Sequence, residues 1–481
     1  MKDIKSYFNS SFLLVFCYLF TFLVFWLIKD YPFFWDTIQL GSKHAHFYYE
    51  NDFRSFLLPQ NIDSGHPPFF GLYLALLWKL FGQTLAVSHF AILPFTLLSI
   101  YVVNKIGDYF LGKKKGIWLI LLILVDPTFA AQNILVSPDA ILMSCFLLGI
   151  LAIIKRRDWL LVLAALGLAM VSMRGMMVVL VLYVLKVYES WQVSDIFGGV
   201  RHLFKNGLVF IPSGLLALAF LGYHYYATGW IGYHENSPWA TSFERVDFKG
   251  FLKNIGILGW RLVDFGRVFV MLPLIVLLSL KFTRKINPLR NQKFTFLAVL
   301  LISSVILLTP SLLIHKYLTA HRYLLPVFFA CSLFLLYLVF NHQTQGNKSI
   351  KNILLPIIFF GLFSGNFWIY PPKIAQGWDA TLSHLPYYDL RAEMMDHIKE
   401  EQLDFQKIGS VFPEVGARKF RELNGIEEGF SQADLNNQDH IFYSNVMNDF
   451  SDEEVEELMT EWKVIKRLEK RGVFVVLCEK K

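Results

Sequence analysis

The sequence predicts a polytopic α-helical membrane protein that carries a small α/β domain at its C-terminal end. Three observations carry that expectation. The 481 residues are 55% hydrophobic and 17% charged, against about 25% charged in soluble domains. Apolar runs near the length of a bilayer span, about 20 residues, recur along the chain, separated by short Lys/Arg clusters. After Pro371-Pro372 the composition becomes abruptly charged. The net charge of +7 lies largely in the clusters between spans, where it sets orientation, so it gives no reason to expect a nucleic-acid partner. Of Cys17, Cys145, Cys331 and Cys478, three lie in apolar runs, which argues against a disulfide framework.

Taken in order, Lys2 and Lys5 favour a cytoplasmic N-terminus. The apolar run 11–28 lacks a small-residue cleavage site and reads as a retained helix. It delivers residues 30–70 to the outside. Two crossings between residues 69 and 103 would place Lys113-Lys114-Lys115 outside, against the positive-inside bias. The run 66–82 is therefore expected to lie in or dip into the outer leaflet. Further spans are expected at 85–103, 117–131 (interrupted by Asp126-Pro127), 140–154, 159–185 (two helices meeting near Arg174-Gly175), 207–221, 268–280, 294–313, 323–340 and 353–369. Lys155-Arg156-Arg157, Lys281, Arg284, Lys285 and Lys348 mark inner ends, and 223–264 is an outer loop. The count is about eleven transmembrane helices. That odd number places the residues beyond the last span outside.

The division is thus a membrane domain over 1–370 and an extracytoplasmic α/β domain over 371–481, near the usual domain size. In the latter, 389–401 is helix-like, 407–412 and 440–444 are strand-like, and Ser451 caps a helix whose first turn holds Asp452, Glu453 and Glu454. Residues 464–481 read as a closing hairpin.

The loop 30–70 is polar, aromatic and rich in titratable groups: Asp36, His44, His46, Glu50, Asp52, Asp63 and His66. Asp36, after Phe33-Phe34-Trp35, fits a helix N-cap as well as a catalytic carboxylate. Asp139, after Ser137-Pro138, also fits a first helical turn. Arg174 interrupts an apolar run, so it faces either a cavity or a partner, or it snorkels to headgroups. Arg322 has the same ambiguity. With His315, Lys316 and His321 nearby, several donors gather near the outer face, which suits a phosphate. Arg binds phosphate bidentately and stays charged, and Arg322 is preferred to Arg174 for this role. His44, His46, His66, His224 and His234-Glu235 match no standard zinc spacing. The metal is therefore unknown, with a divalent cation as one option, and no organic cofactor is implied.

The Asp soon after the first apolar run, the loop closing on His66-Pro67-Pro68, Ser137-Pro138-Asp139 and His321-Arg322-Tyr323-Leu324-Leu325-Pro326 together resemble the GT-C glycosyltransferases. Within that superfamily the chain is most similar to the protein mannosyltransferase and lipid A aminoarabinose transferase branch, over about residues 1–370. The resemblance implies Asp36 as the base that accepts the acceptor's proton and Asp139 as a second acid of the same site. His66, Arg174, Arg322 and Tyr323 are then the substrate- and phosphate-binding candidates. It also implies a polyprenyl-phosphate sugar donor, a lipid, glycan or protein acceptor, and a bacterial inner membrane as the setting. No G-x-G-x-x-G or P-loop supports a nucleotide site.

On chemical grounds a phosphate leaving group needs charge stabilisation more than a general acid, and the acceptor hydroxyl needs a base. A single displacement inverts the anomeric centre. The rival class is a transporter or lipid flippase, which many spans and intramembrane charges would also fit. Such proteins often carry inverted repeats and broken midplane helices. No repeat is visible here, and the titratable groups cluster at one face.

Overall fold

The computed structural model of the chain describes residues 2–191, 199–237, 239–283, 290–341 and 348–481. Arg284 and Lys285 of the basic clusters lie outside the described residues, as do the side chains of Lys2, Lys5 and Lys348. Helices dominate up to residue 365: α1 (Lys2–Ile28), α2 (His44–Glu50), α3 (Phe69–Phe81), α4 (Leu85–Leu111), α5 (Gly116–Val125), α6 (Pro127–Ile134), α7 (Pro138–Ile154), α8 (Asp158–Val171), α9 (Met173–Trp191), α10 (Gly199–Gly207), α11 (Ile211–Thr228), α12 (Phe248–Val263), α13 (Val268–Phe282), α14 (Gln292–Leu308), α15 (Pro310–Ile314), α16 (Leu325–Asn341) and α17 (Lys348–Gly365).

Among the described residues five helices are long and apolar enough to cross a membrane, or seven if each of two bent pairs is one span. Four further apolar helices are shorter, α3 among them. The protein is thus an integral membrane protein built of helices, and helix length alone does not reach the expected eleven.

The breaks have local causes. Pro127 lacks an N–H, and the Asp126 carboxylate takes the Thr128 and Phe129 N–H groups at 3.0 and 3.2 Å. A new helix therefore starts there, bent 72° from α5. Between α8 and α9, Ser172 is extended and its Oγ accepts Gly175 N–H at 3.0 Å. Arg174 therefore stands in the first turn of α9 rather than in mid-span. A Cβ on Gly175 would collide with the Leu168 carbonyl, so the tight turn requires glycine. The expected outer loop 223–264 contains a helix, α12, which Asp247 caps through Gly250 N–H at 2.8 Å. Three glycines in FKGFLKNIGILGWRLV weaken its helix propensity, but the apolar residues recur at helical spacing.

The C-terminal region holds α18 (Pro386–Glu400), β1 (Ile408–Ser410), α19 (Lys419–Glu422), β2 (Ser431–Gln432), β3 (His440–Ser444), α20 (Asp452–Thr460), β4 (Lys463–Lys470) and β5 (Val473–Glu479). Its sheet has the order β2-β1-β3-β5-β4. β1 is parallel to β2 and β3, while β5 is antiparallel to β3 and β4. Ser451 and Glu454 form a capping box on α20. All four cysteines are free.

This region packs on the loop after α1. Phe33 N–H donates to Arg421 O at 2.9 Å, Tyr31 stacks on Tyr388 at 4.4 Å, and Lys419 pairs with Glu50 at 3.1 Å. The two therefore share one face of the protein. Lys115 and Lys351 lie over Phe340, 5.1 and 5.3 Å from its ring centre, at the far end of α16. Its 17 residues put that end about 25 Å away at 1.5 Å per residue.

Candidate active site

The site forms where the turn Trp35–Asp36, the N-terminus of α7, the N-terminus of α9, the turn before α16 and the segment leading into α18 converge. Its centre is Arg322. Nη2 donates to Asp36 Oδ2, Nη1 lies 3.2 Å from Asp379 Oδ2, and Nε lies 3.9 Å from Asp139 Oδ2 without a hydrogen bond. The guanidinium is buried, with 9% of the side chain exposed. Arg174 Nη1 donates to Asp139 Oδ1 at 2.6 Å and to Arg322 O at 3.4 Å. The Tyr323 ring lies against both cations, 4.0 Å from the Arg174 guanidinium carbon and 5.2 Å from that of Arg322. Its hydroxyl accepts from Arg322 Nη2 at 3.3 Å.

Local structure decides what each acid does. Asp36 opens a helical turn, yet its carboxylate goes to Arg322 and not to the first-turn N–H groups, so the capping reading fails. Thr37 does not cap that turn either: its Oγ1 bonds back to Phe34 N and O at 3.1 and 2.7 Å. At α7 the cap is Ser137, whose Oγ accepts Asp139 N–H at 3.2 Å. Asp139 is free to hold Arg174. Neither arginine snorkels to headgroups.

His66 lies beside the Asp139–Arg174 side of the cluster. With Ser64, Pro67, Pro138, Asp139 and Arg174 it lines a cavity of about 20 Å³, room for about one water. His66 Nδ1 and Ser64 Oγ are enclosed there without partners. Burial, and then the charge on Arg174, lowers the His66 pKa to about 4, so the ring is neutral at pH 7. The loop that carries it is fixed by Asp63, which accepts Gly65 N–H at 2.8 Å and pairs with His224 Nε2 at 3.0 Å.

The other histidines are also spent on structure. His44 bonds Ile62 O at 2.8 Å, His46 bonds Ser42 O at 2.9 Å and His234 bonds Gln60 O at 3.0 Å. Among the described residues no three His, Cys, Asp or Glu side chains gather as a metal site would require. The carboxylates of Asp36, Asp139 and Asp379 each face the Arg322 guanidinium.

Sequence alone does not point to three partners of this site. Asp379 follows Trp378 in an irregular stretch. Asp264 receives His321 Nε2 at 2.8 Å and also the Tyr370 hydroxyl, which holds the turn before Arg322. Arg267 takes Asp126 bidentately, at 2.7 and 3.1 Å. His321 is therefore a supporting residue rather than a phosphate donor.

Residues 65–225 match the family described as dolichyl-phosphate-mannose-protein mannosyltransferase. Among solved structures, ArnT from Cupriavidus metallidurans bound to undecaprenyl phosphate has a similar fold. Its TM-score is 0.50 at 13% identity, over 96% of this chain and 97% of that one. Its apo structure gives 0.49 at the same identity and coverage. Among curated proteins none matches the chain in sequence. The family match over residues 65–225 agrees with the resemblance read from the sequence, and the structural match shows a shared fold.

Proposed function

We propose that this GT-C-type membrane enzyme moves a sugar from a polyprenyl-phosphate donor to a hydroxyl acceptor on the extracytoplasmic face, with inversion. One observation carries the reading. Arg322, at the outer end of α16, is in contact with Asp36 while its Nε makes no hydrogen bond. A base and a buried phosphate-binding group thus sit side by side.

The roles derive from that placement. Asp36 accepts the proton of the attacking hydroxyl. Arg322 meets the charge that develops on the departing phosphate, and a prepositioned cation in a dry site is the efficient way to do so. Asp139 holds Arg174, and together they fix the wall that faces Tyr323. His66, neutral and with an unpartnered nitrogen, is placed for a hydrogen bond to substrate or to an ordered water. The undecaprenyl phosphate in the ArnT structure of similar fold supports a donor of that class. The acceptor is a lipid, glycan or protein.

The matching arrangement in the membrane has eleven crossings, made by α1, α4, α5–α6, α7, α8, α9, α11, α13, α14, α16 and α17, with α3 in the outer leaflet. Residues 1–370 form the catalytic membrane domain and 371–481 an extracytoplasmic domain. The N-terminus is cytoplasmic and the membrane is a bacterial inner membrane. The packing of Arg421 and Lys419 on the loop after α1 supports a shared outer face. The test is sugar transfer by membranes containing the protein, given a polyprenyl-phosphate sugar, together with mass spectrometry of glycolipids and glycoproteins from a deletion strain. A deletion strain with unchanged glycans, and membranes with no transfer, would sink the reading.

A further inference from the structure

The charges at the site do not balance. Asp36, Asp139 and Asp379 face two cations, Arg322 and Arg174. A donor phosphate brings a further negative charge into a buried place, where unpaired charge is costly. It also needs donors on Arg322. Nε is available, and Nη1 is engaged by Asp379.

Resting on the donor reading of Arg322, we propose that Asp379 is a further residue of the donor-binding site. It occupies Nη1 of Arg322 in the donor-free protein, yields it to the donor phosphate, and takes up a proton as it does so.

Asp379 is the carboxylate suited to this exchange. Asp36 is in direct contact with Nη2, and Asp139 has its own cation in Arg174 at 2.6 Å. Asp379 has the longer 3.2 Å contact with Nη1 and a hydrogen bond to the backbone of its own residue. Its backbone is held independently of its side chain: Gln132 Nε2 donates to Asp379 O at 2.8 Å, and Thr128 Oγ1 donates to Ala380 O at 3.1 Å. The same Gln132 accepts Ser137 Oγ–H at 2.5 Å, and Ser137 caps the helix that bears Asp139. The Asp379 carboxylate can therefore let go of Arg322 while its segment stays in place.

The ionisable groups around it are few. The turn before α16 offers Arg322, and the loop after α1 and the start of α7 offer Asp36 and Asp139. α6 presents Gln132 and Thr128, both neutral. On neighbouring residues His321 is bound to Asp264 and His384 to Thr381 O. Burial pushes the Asp379 carboxyl up, Arg322 draws it down, Asp36 and Asp139 push it up again, and a hydrogen bond to its own backbone draws it down a little, leaving it above the ordinary 3.8.

The experiment measures undecaprenyl phosphate binding to the purified full chain in detergent, from about pH 5 to 8, for wild type and Asp379→Asn. Asn keeps the shape and is uncharged throughout. Titration of the probe's own phosphate is common to both curves and cancels in their ratio. The expected result is that wild type loses affinity with rising pH more steeply, by up to about tenfold per pH unit, and that Asp379→Asn binds about tenfold tighter at the alkaline end. Parallel curves, or weaker binding by Asp379→Asn at every pH, would make Asp379 a plain structural anchor and overturn the proposal alone. Binding by neither chain would overturn the donor reading and this inference with it.

Discussion

Arg322 donates through Nη2 to Asp36 Oδ2, joining residues 286 positions apart in the chain. Asp36 comes after the first span and Arg322 precedes α16, so only the folded bundle brings them together. The contact explains why an exposed-looking loop aspartate is held in one orientation by a buried cation. It also sets the terms for testing both residues.

Asp36→Asn removes proton acceptance and nearly keeps the shape. Arg322 retains Asp379 and Asp139 as charge partners, so the variant should insert and accumulate normally. Loss of a general base typically lowers the rate roughly 10²–10⁴-fold. Asp36→Glu should also turn over poorly, since a displacement of ~1 Å can cost about a hundredfold. Asp139→Asn is the comparison and should cost less. Sugar transfer normalised to protein level decides between them. If Asp36→Asn transfers at the wild-type rate while Asp139→Asn is dead, the base is Asp139.

Arg322→Lys keeps a charge but loses the planar fork that spans Asp36 and Asp379. It should bind a polyprenyl phosphate more weakly and turn over more slowly than wild type, and Arg322→Ala should be worse. Both variants leave carboxylates short of a cation, so protein level must be read alongside binding. Well-folded variants with normal donor affinity would demote Arg322 to a structural ion-pair partner.

Much of this frame is legible in the sequence, because hydropathy and turn chemistry are local. The span interrupted at Asp126-Pro127, the break beside Arg174, the capped helix after Ser451 and the closing hairpin are all set by neighbours within a few residues. Asp379 and Asp264 are not. Each lies in a short irregular stretch with no periodicity, and each acquires its role from a residue far away in the chain. Their nearest signals are weak: Asp379 follows Trp378 just inside the charged region, and Asp264 ends the amphipathic run of α12. Asp36 shows the converse. Its capping and catalytic readings are indistinguishable in sequence, and the contact with Arg322 removes the capping one.

Orientation is testable without any activity. Reporter fusions after Lys115, Arg157 and Lys285 should report the cytoplasm, and a fusion after Lys373 should report the outside. The clustering of Lys115 and Lys351 around Phe340, at the end of α16 away from Arg322, is the structural ground for the first. An external signal at Lys115 would require a second crossing between residues 66 and 112. A cytoplasmic signal at Lys373 would put Asp379 on the wrong side of the membrane for an extracytoplasmic site.

The last prediction concerns Glu414, buried between Arg391 and Arg421 with the Tyr387 hydroxyl donating to it at 2.9 Å. Burial alone would raise its carboxyl, but Arg391 and Arg421 outweigh burial and hold it below the ordinary 4.5. A depressed folded-state value means the ionised form stabilises the fold. That contribution is complete above about pH 4.5 and fades as the pH falls through the lower folded value. Glu414→Gln removes the charge at all pH values and leaves two buried arginines short of a partner, for which a loss of roughly 3 kcal/mol is reasonable. The measurement is hydrogen exchange of the β1, β3 and β5 amides in the intact protein, which reads local opening, at neutral and acid pH. Wild type should lose protection toward acid, whereas Glu414→Gln should start lower and change less. Because Arg421 O also accepts Phe33 N–H at 2.9 Å, three residues before Asp36, the variant should lose transfer activity along with protection. Wild-type protection at pH 7 in Glu414→Gln would show that the arginines find other partners and that the carboxylate is dispensable.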